Sequence, residues 1–292
     1  VKKSFSASEL IRSKAGAVYH LDLLPEQLSR KIILVGDPDR VPLVSQYFDQ
    51  LYYRVQHREF VTHTGRLGKH AISVISSGIG TDNIDIVLNE IDALLNINQI
   101  DNTVNDSLVS CEIVRLGTSG ALQPDIAVDS LVASTYGLGI DGLMPFYEQK
   151  EDKQTAALLT AILDHQPGLK SVCIPYLSQA DAGLLAKIGH DMPQGITLTS
   201  PGFYGPQGRE LRYRARYAQL LTDAQSFSAG KLRMTNFEME TAGIYGLAQM
   251  LGHRALSVNA IIANRALGQF SRQAAATIDR MIQLVLARFT SD

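Results

Sequence analysis

The sequence predicts an α/β protein, a single domain over 1–292 around a mixed or largely parallel sheet. Short apolar runs alternate with stretches of helical spacing along nearly the whole chain. Several of these runs end in a glycine turn, as a strand does where it hands over to a helix. No repeat, low-complexity tract or convincing linker interrupts the order. A length of 292 residues accommodates one large domain or two ordinary ones.

Composition narrows the function classes. Hydrophobic residues make up 45% and charged residues 19%, as in a globular protein with a sizeable core. Lys and Arg number 27 against 29 acids, so no basic field exists to attract nucleic acid or an anionic membrane. Cys111 and Cys173 are the only cysteines, too few and too far apart for a disulfide framework or a cysteine metal site. Lys2 and Lys3 are not followed by an apolar segment, and no run approaches membrane-spanning length, so a cytoplasmic protein is expected.

The first thirty residues are mixed and loop-like, and His20 stands there between Tyr19 and Leu21. KIILV (31–35) reads as a buried strand that ends in GDPDR (36–40). Gly36 frees the backbone and Pro38 fixes a turn, while Arg40 adds a planar cationic fork. Backbone N–H groups at such a strand end are a usual place for an anion, although this is neither a dinucleotide nor a P-loop fingerprint. The piece 53–70 is rich in base and breaks at Gly65 and Gly68 as a hairpin would. AISVISSGIGTDN (71–83) supplies a second strand and turn, and a helix follows. Residues 97–108 are polar and read as a surface loop or an extended helix end.

CEIVRLGTSGAL (111–122) is a third strand running into a glycine-rich turn. Arg115 lies inside its end, an expensive place for a charge without a partner. Thr118, Ser119 and Gly120 add hydroxyls and backbone donors, so one sheet carries two strand-end anion cradles. Strands are expected at 129–142 and in SVCIPYL, and helices at 155–165 and in ADAGLLAKIG. The loop within 195–212 holds Phe203, Gln207 and Arg209, an aromatic, an amide and a guanidinium that read either as a surface loop with its aromatics packed down or as a contact for a planar heterocycle. In 235–252, Glu238 and Glu240 precede an apolar helix expected to start near Met239. Two such carboxylates diverge on a helix, so only one is expected to hold a ligand. RALSVNAIIANRAL is the last strand, ending in Asn264 and Arg265, and 272–289 is the closing helix.

In combination these motifs resemble the nucleoside phosphorylase family, and within it the uridine-cleaving branch. The likeness runs from His20 to about Phe270 through GDPDR, HREF (57–60), SSGIG (76–80), RLGTSG (115–120), FYGPQGR (203–209), FEMETAG (237–243) and ANR (263–265). The resemblance implies a twisted mixed sheet closing partly into a barrel and flanked by helices. It implies a phosphate site from Gly36, Arg40, Arg115 and Thr118, with Arg58 supplied by a neighbouring subunit. Ribose would be held by Glu240, with Met239 against the sugar, Thr118 beside it and His20 from the neighbour. The base would lie near Phe203 and be read by Gln207 and Arg209, with Arg265 supporting their loop. The catalytic set would be Arg115, Glu240, Gln207 and Arg209. No catalytic metal or cofactor is implied; inorganic phosphate is a co-substrate, and a homodimer with shared sites is the minimum unit, assembling further into a hexamer.

The implied reaction is phosphorolysis of uridine, or of deoxyuridine, to uracil and the sugar 1-phosphate, a step of pyrimidine salvage. A Gln amide matches uracil's adjacent carbonyl and N–H, and an Arg, which has no acceptor, leaves cytosine's amino group unpaired. The purine branch carries an Asp acid where this chain has Asn264, and an amide cannot protonate a leaving purine. A purine nucleoside phosphorylase and a non-catalytic nucleoside-binding member of the fold are the alternatives. The chain departs from its relatives at Gly205-Pro206, where Pro-Gly is usual, and at Thr81, Asp82 and Asn83, where Gly-Pro-Ser is usual. Some relatives hold a structural potassium ion near the position of Glu59; that ion is not carried over to this chain.

Overall fold

The run KIILV forms the strand from which the rest of the sheet spreads, its last four side chains buried. The computed structural model describes residues 4–148 and 152–291. In chain order the first half contains β1 (Lys31–Val35), α1 (Arg40–Ser45), β2 (Gln50–His57), β3 (Phe60–Leu67), β4 (His70–Ser76), α2 (Thr81–Asn96), β5 (Glu112–Ala121) and β6 (Leu131–Gly139). The second half contains α3 (Lys153–His165), β7 (Tyr176–Gln179), α4 (Ala182–Ile188), β8 (Gln194–Thr199), α5 (Leu220–Ser226), β9 (Ser228–Ala229), β10 (Leu232–Glu238), α6 (Thr241–Leu251), β11 (Arg254–Asn264), β12 (Gln269–Phe270) and α7 (Ala274–Phe289).

The fold is a mixed α/β domain whose sheet is partly a barrel. β1 pairs in parallel with β4 on one side and with β5 on the other. β5 pairs in parallel with β11, β11 runs antiparallel to β6, and β6 and β8 are parallel. β8 and β10 are parallel, and β10 returns antiparallel to β5, which closes a five-strand ring. β1, β4, β3 and β2 extend from β5 as an open flap. Parallel strands buried on both faces carry near-continuous apolar runs, as β1, β5 and β11 do. The main core joins β1, β4 and β5 to α2, α6 and α7, with Ile33, Ile75, Leu88, Val114 and Phe289 fully enclosed. Each such aliphatic side chain contributes about 1.5–3 kcal/mol relative to an exposed one.

Five local expectations are corrected, the first being that Gly117–Gly120, expected as a glycine-rich turn, continue β5 through to Ala121 because β11 pairs with them throughout. Gly65 does not break a hairpin but lies inside β3, where the carbonyl of Gln50 passes too close for a side chain. The β2–β3 turn falls instead at Arg58 and Glu59, with Arg58 at φ +56°. SVCIPYL is a strand only from Tyr176; its first residue, Ser171, ends a 3-10 turn. α2 begins at Thr81, earlier than the apolar spacing indicates, and α6 begins at Thr241, two residues after Met239. The short elements α5, β9 and β12 carry no periodic signal, because two to seven residues are too few to show one.

Candidate functional site

The adjacency of β1 and β5 decides where the site lies. Val35 is in register with Leu116, so the GDPDR turn and the Gly117–Gly120 stretch emerge side by side. Both line one cavity of about 730 Å³. Gly36, Arg40, Arg115 and Thr118 face it from this end, and Met239 and Glu240 from the start of α6. Phe203, Gln207 and Arg209 face it from the 200–219 loop. Nine of the twelve site residues named from the sequence therefore meet in one place. Arg265 is a supporting residue: its Nη1 donates to the Gln207 carbonyl at 3.2 Å.

His20 and Arg58 do not line this cavity. They lie together elsewhere, with Tyr19 set edge-on to His20 at 4.9 Å and the Arg58 guanidinium 5.6 Å from the Tyr19 ring. Glu90 of α2 anchors that turn through His20 Nδ1 at 2.6 Å and the backbone N–H of Leu21 at 2.8 Å.

Arg115 is fully buried and held on both arms. Nη1 donates to Asn259 Oδ1 at 2.8 Å and to Ser257 Oγ at 3.3 Å. Nη2 pairs with Glu238 Oε2 at 3.1 Å and with Glu240 Oε2 more closely still. Burial alone pulls the guanidinium pKa down, and the two carboxylates more than restore it. Burial likewise raises the Glu240 carboxyl above its usual range, opposed by Arg115 and reinforced by Glu238. The expected divergence of the two glutamates is thus overturned. Glu238 ends a strand and Glu240 caps a helix, and the bend between them turns both onto one guanidinium.

The two acids nevertheless have different duties. Glu238 accepts from Thr199 Oγ1 at 2.6 Å and from the N–H groups of Glu240 and Thr241 at 3.0 and 2.9 Å, so it serves the positive end of α6. Glu240 receives the Gly80 N–H at 2.9 Å, which requires the SSGIG turn to close at φ +96°. Arg40 stands opposite; burial lowers its pKa, with Asp37 compensating and Arg115 adding repulsion. Two guanidinium groups thus stand at this end of the cavity, one of them engaged by Glu238 and Glu240.

At the other end, Gln207 is buried in a 3-10 turn, so Gly205-Pro206 does bring its side chain to the wall. Arg209 Nη1 donates to Gln207 Oε1 and to the Phe203 carbonyl, both at 2.6 Å, and its guanidinium stacks 3.8 Å from the Phe203 ring. Burial and the nearby Arg265 lower Arg209 to about 10; it stays charged at neutral pH, at a cost that an anion would relieve. Asn264 points away from the cavity: its Nδ2 donates to the carbonyls of Gln123 and Ile126, each at 2.9 Å. On the cavity wall Asn83 Nδ2 donates to Glu59 Oε1 at 3.4 Å, a long contact. Among the described residues no group of three His, Cys, Asp or Glu side chains is gathered to hold a metal ion.

A family model described as the phosphorylase superfamily matches residues 30–289. The chain belongs to that superfamily. Among superfamily relatives, the uridine phosphorylase of Thermococcus kodakarensis is 30% identical over 272 residues, 92% of this chain and 86% of that one. The uridine phosphorylase of Escherichia coli is 28% identical over 251 residues, 85% and 86% of the two chains. A solved Trypanosoma brucei nucleoside phosphorylase described as showing uridine phosphorylase activity superposes with a TM-score of 0.89 at 27% identity. It covers 97% of this chain and 100% of its own.

Sequence reasoning missed several residues in and around this cavity. Glu238 was set aside because periodicity could not foresee the bend. Asn259 and Ser257 carried a readable signal, since polar side chains inside the apolar strand SVNAIIA demand partners. Phe270 lines the cavity from the two-residue strand β12, where no pattern marks it. No helix among the described residues is long and apolar enough to cross a membrane.

Proposed function

We propose that the protein is a uridine phosphorylase, a pentosyltransferase that reversibly converts uridine and phosphate to uracil and ribose 1-phosphate. The observation that carries this reading is one cavity with a cationic end at Arg40 and Arg115 and a Gln207–Arg209 pair at the other. Phosphate is held by Gly36, Arg40, Arg115 and Thr118, each Arg contact being charge-assisted. Glu240 accepts from the ribose hydroxyls, with Met239 against the sugar. A phosphate oxygen forms a bond to the anomeric carbon as that carbon's bond to the base nitrogen breaks. The electron pair leaves with uracil, which then takes a proton. Positive charge gathers on the sugar in between, as in glycoside cleavage, and the phosphate dianion beneath stabilises it. Arg209 and Gln207 donate to the uracil oxygens as negative charge develops.

The contact between Arg209 and Gln207 Oε1 sets an order of groups along the wall: guanidinium N–H, amide oxygen, amide N–H. Uracil presents the complementary series of carbonyl, N–H and carbonyl. Cytosine presents an amino group to the guanidinium and a bare ring nitrogen to the amide oxygen, two mismatches that favour its rejection. For purines, Asn264 offers no acid.

A substrate panel tests the proposal. Uridine is expected to disappear only with phosphate present, with inosine and cytidine turned over at least tenfold more slowly. Preferential cleavage of inosine would support the purine reading. Tight uridine binding with no turnover at any phosphate concentration would support a binding protein.

We further infer that His20 and Arg58 complete a neighbour's site, because they sit together outside their own chain's cavity. A two-fold dimer is then the minimum active unit, and the hexamer implied by the family resemblance is built from it. Light scattering at assay concentration should find no active monomer.

A further inference from the structure

The barrel interior holds a line of buried polar side chains that the chemistry above does not use. It starts at Arg115 and ends at Ser119 on the cavity wall. Its direction follows from one fact: a guanidinium only donates, so Asn259 must present its oxygen to Arg115. The Asn259 amide nitrogen therefore faces Ser134 Oγ at 3.2 Å and Ser257 Oγ at 3.3 Å. Ser134, accepting there, lies 2.5 Å from Thr197 Oγ1. Thr197 donates to Asn236 Oδ1 at 2.9 Å, so the Ser134 proton goes to Thr197. Asn236 Nδ2 then donates to Ser119 Oγ at 3.0 Å. Every proton along the line is given away from Arg115, and every acceptor end faces it.

The frame is rigid. Tyr245 Oη donates to the Ser134 carbonyl at 2.7 Å and accepts from the Ser257 N–H at 2.8 Å, tying β6 and β11 together behind the line. Asn259, Ser134, Thr197 and Asn236 show no exposed surface. An apolar strand interior would have avoided four buried polar groups, each of which must be satisfied to be tolerated.

Resting on the phosphorolysis reading, we propose that Asn259, backed by the Ser134–Thr197–Asn236–Ser119 line, is a positioning residue for phosphate. It fixes the plane of the Arg115 guanidinium and supplies the neutral acceptor that keeps Nη1 in place while Nη2 faces the two carboxylates. It acts through Arg115 and need not touch substrate.

The test uses the whole protein and the variants Asn259→Leu, Ser134→Ala and Thr197→Val. Each is titrated with inorganic phosphate by calorimetry, assayed for KM toward phosphate and uridine, and melted. The expected weakening of phosphate binding is graded by distance from Arg115: about tenfold or more for Asn259→Leu, about threefold for Ser134→Ala and less than twofold for Thr197→Val. KM for uridine should stay within twofold throughout. A line that only holds the barrel together would lower all three melting temperatures and leave phosphate affinity within twofold of the parent, which overturns the proposal. If Asn259→Leu fails to fold, the contrast between Ser134→Ala and Thr197→Val decides in the same way. A parent protein that binds no phosphate removes the phosphorolysis reading and this one together. A parent that binds phosphate, with flat variant affinities, removes only this one.

Discussion

Replacing Gly117 by Ala should disable the enzyme without deleting a charged or ligand-binding side chain. A Cβ at this position would lie 1.9 Å from Arg115 Nη1, 2.5 Å from Cζ and 2.8 Å from Nη2. Ordinary contact needs about 3.5 Å, so backbone and guanidinium must separate by roughly 1.5 Å. The backbone has little room to yield, because β5 is paired with β1 at Leu116 and with β11 at Gly117, opposite Asn259. The guanidinium must therefore leave Asn259, Glu238 and Glu240. Misplacing a positioned group by about 1 Å can cost about 100-fold in rate. Leaving two buried carboxylates poorly paired costs about 3–5 kcal/mol, on the order of 10 °C in Tm for a domain of this size. The assay is phosphate-dependent loss of uridine with a parallel thermal melt. A Gly117→Ala protein with parental kcat/KM for phosphate and an unchanged Tm would show that Arg115 is not where the chemistry needs it.

Three other outcomes are expected. Asn264→Asp should lower Tm, by about 3 kcal/mol of stability, because a carboxylate would face the carbonyls of Gln123 and Ile126 that the amide now serves; it should gain no inosine cleavage, and a stable variant active on inosine would contradict this. Burial raises Cys111 to about 12 and Cys173 to about 11, so at pH 8 iodoacetamide should leave both thiols of the folded protein largely unmodified and label both in urea, as mass spectrometry will report. Hydrogen bonds from Arg288 lower Asp191 from 3.8 to about 2, so this pair stabilises the fold above the ordinary Asp value and the benefit disappears as pH falls through about 2. Melts of the parent and Asp191→Asn should accordingly converge between pH 4 and pH 2; a constant gap would refute the assignment.

The strands and the cationic end of the cavity were legible because their signals are local. KIILV-GDPDR announces a buried strand running into a turn, and CEIVRLGTSGAL announces a second strand, although its glycines continue β5 to Ala121 rather than forming the expected turn; parallel pairing of β1 with β5 did the rest. The loop carrying Phe203, Gln207 and Arg209 suggested a heterocycle contact by its residue types, but only the family resemblance singled it out from an ordinary surface loop. What periodicity could not supply was the bend after Glu238 that brings Glu238 and Glu240 onto Arg115, since a strand-to-helix junction has neither period. Nor could it pair Asn259 with Arg115, because their meeting depends on strand register across positions 144 residues apart. Gly65 misled for a related reason: a glycine demanded by a neighbouring strand's carbonyl looks the same in sequence as one demanded by a turn.

A crystal grown from the protein and soaked with phosphate and uracil gives the most direct test. Phosphate should occupy the space between the Arg40 and Arg115 guanidinium groups, with Glu240 turned to the sugar side and uracil against Gln207 and Arg209. Phosphate bound elsewhere, with the Arg40 and Arg115 guanidinium groups sharing no anion and uracil away from the 200–219 loop, would contradict the account.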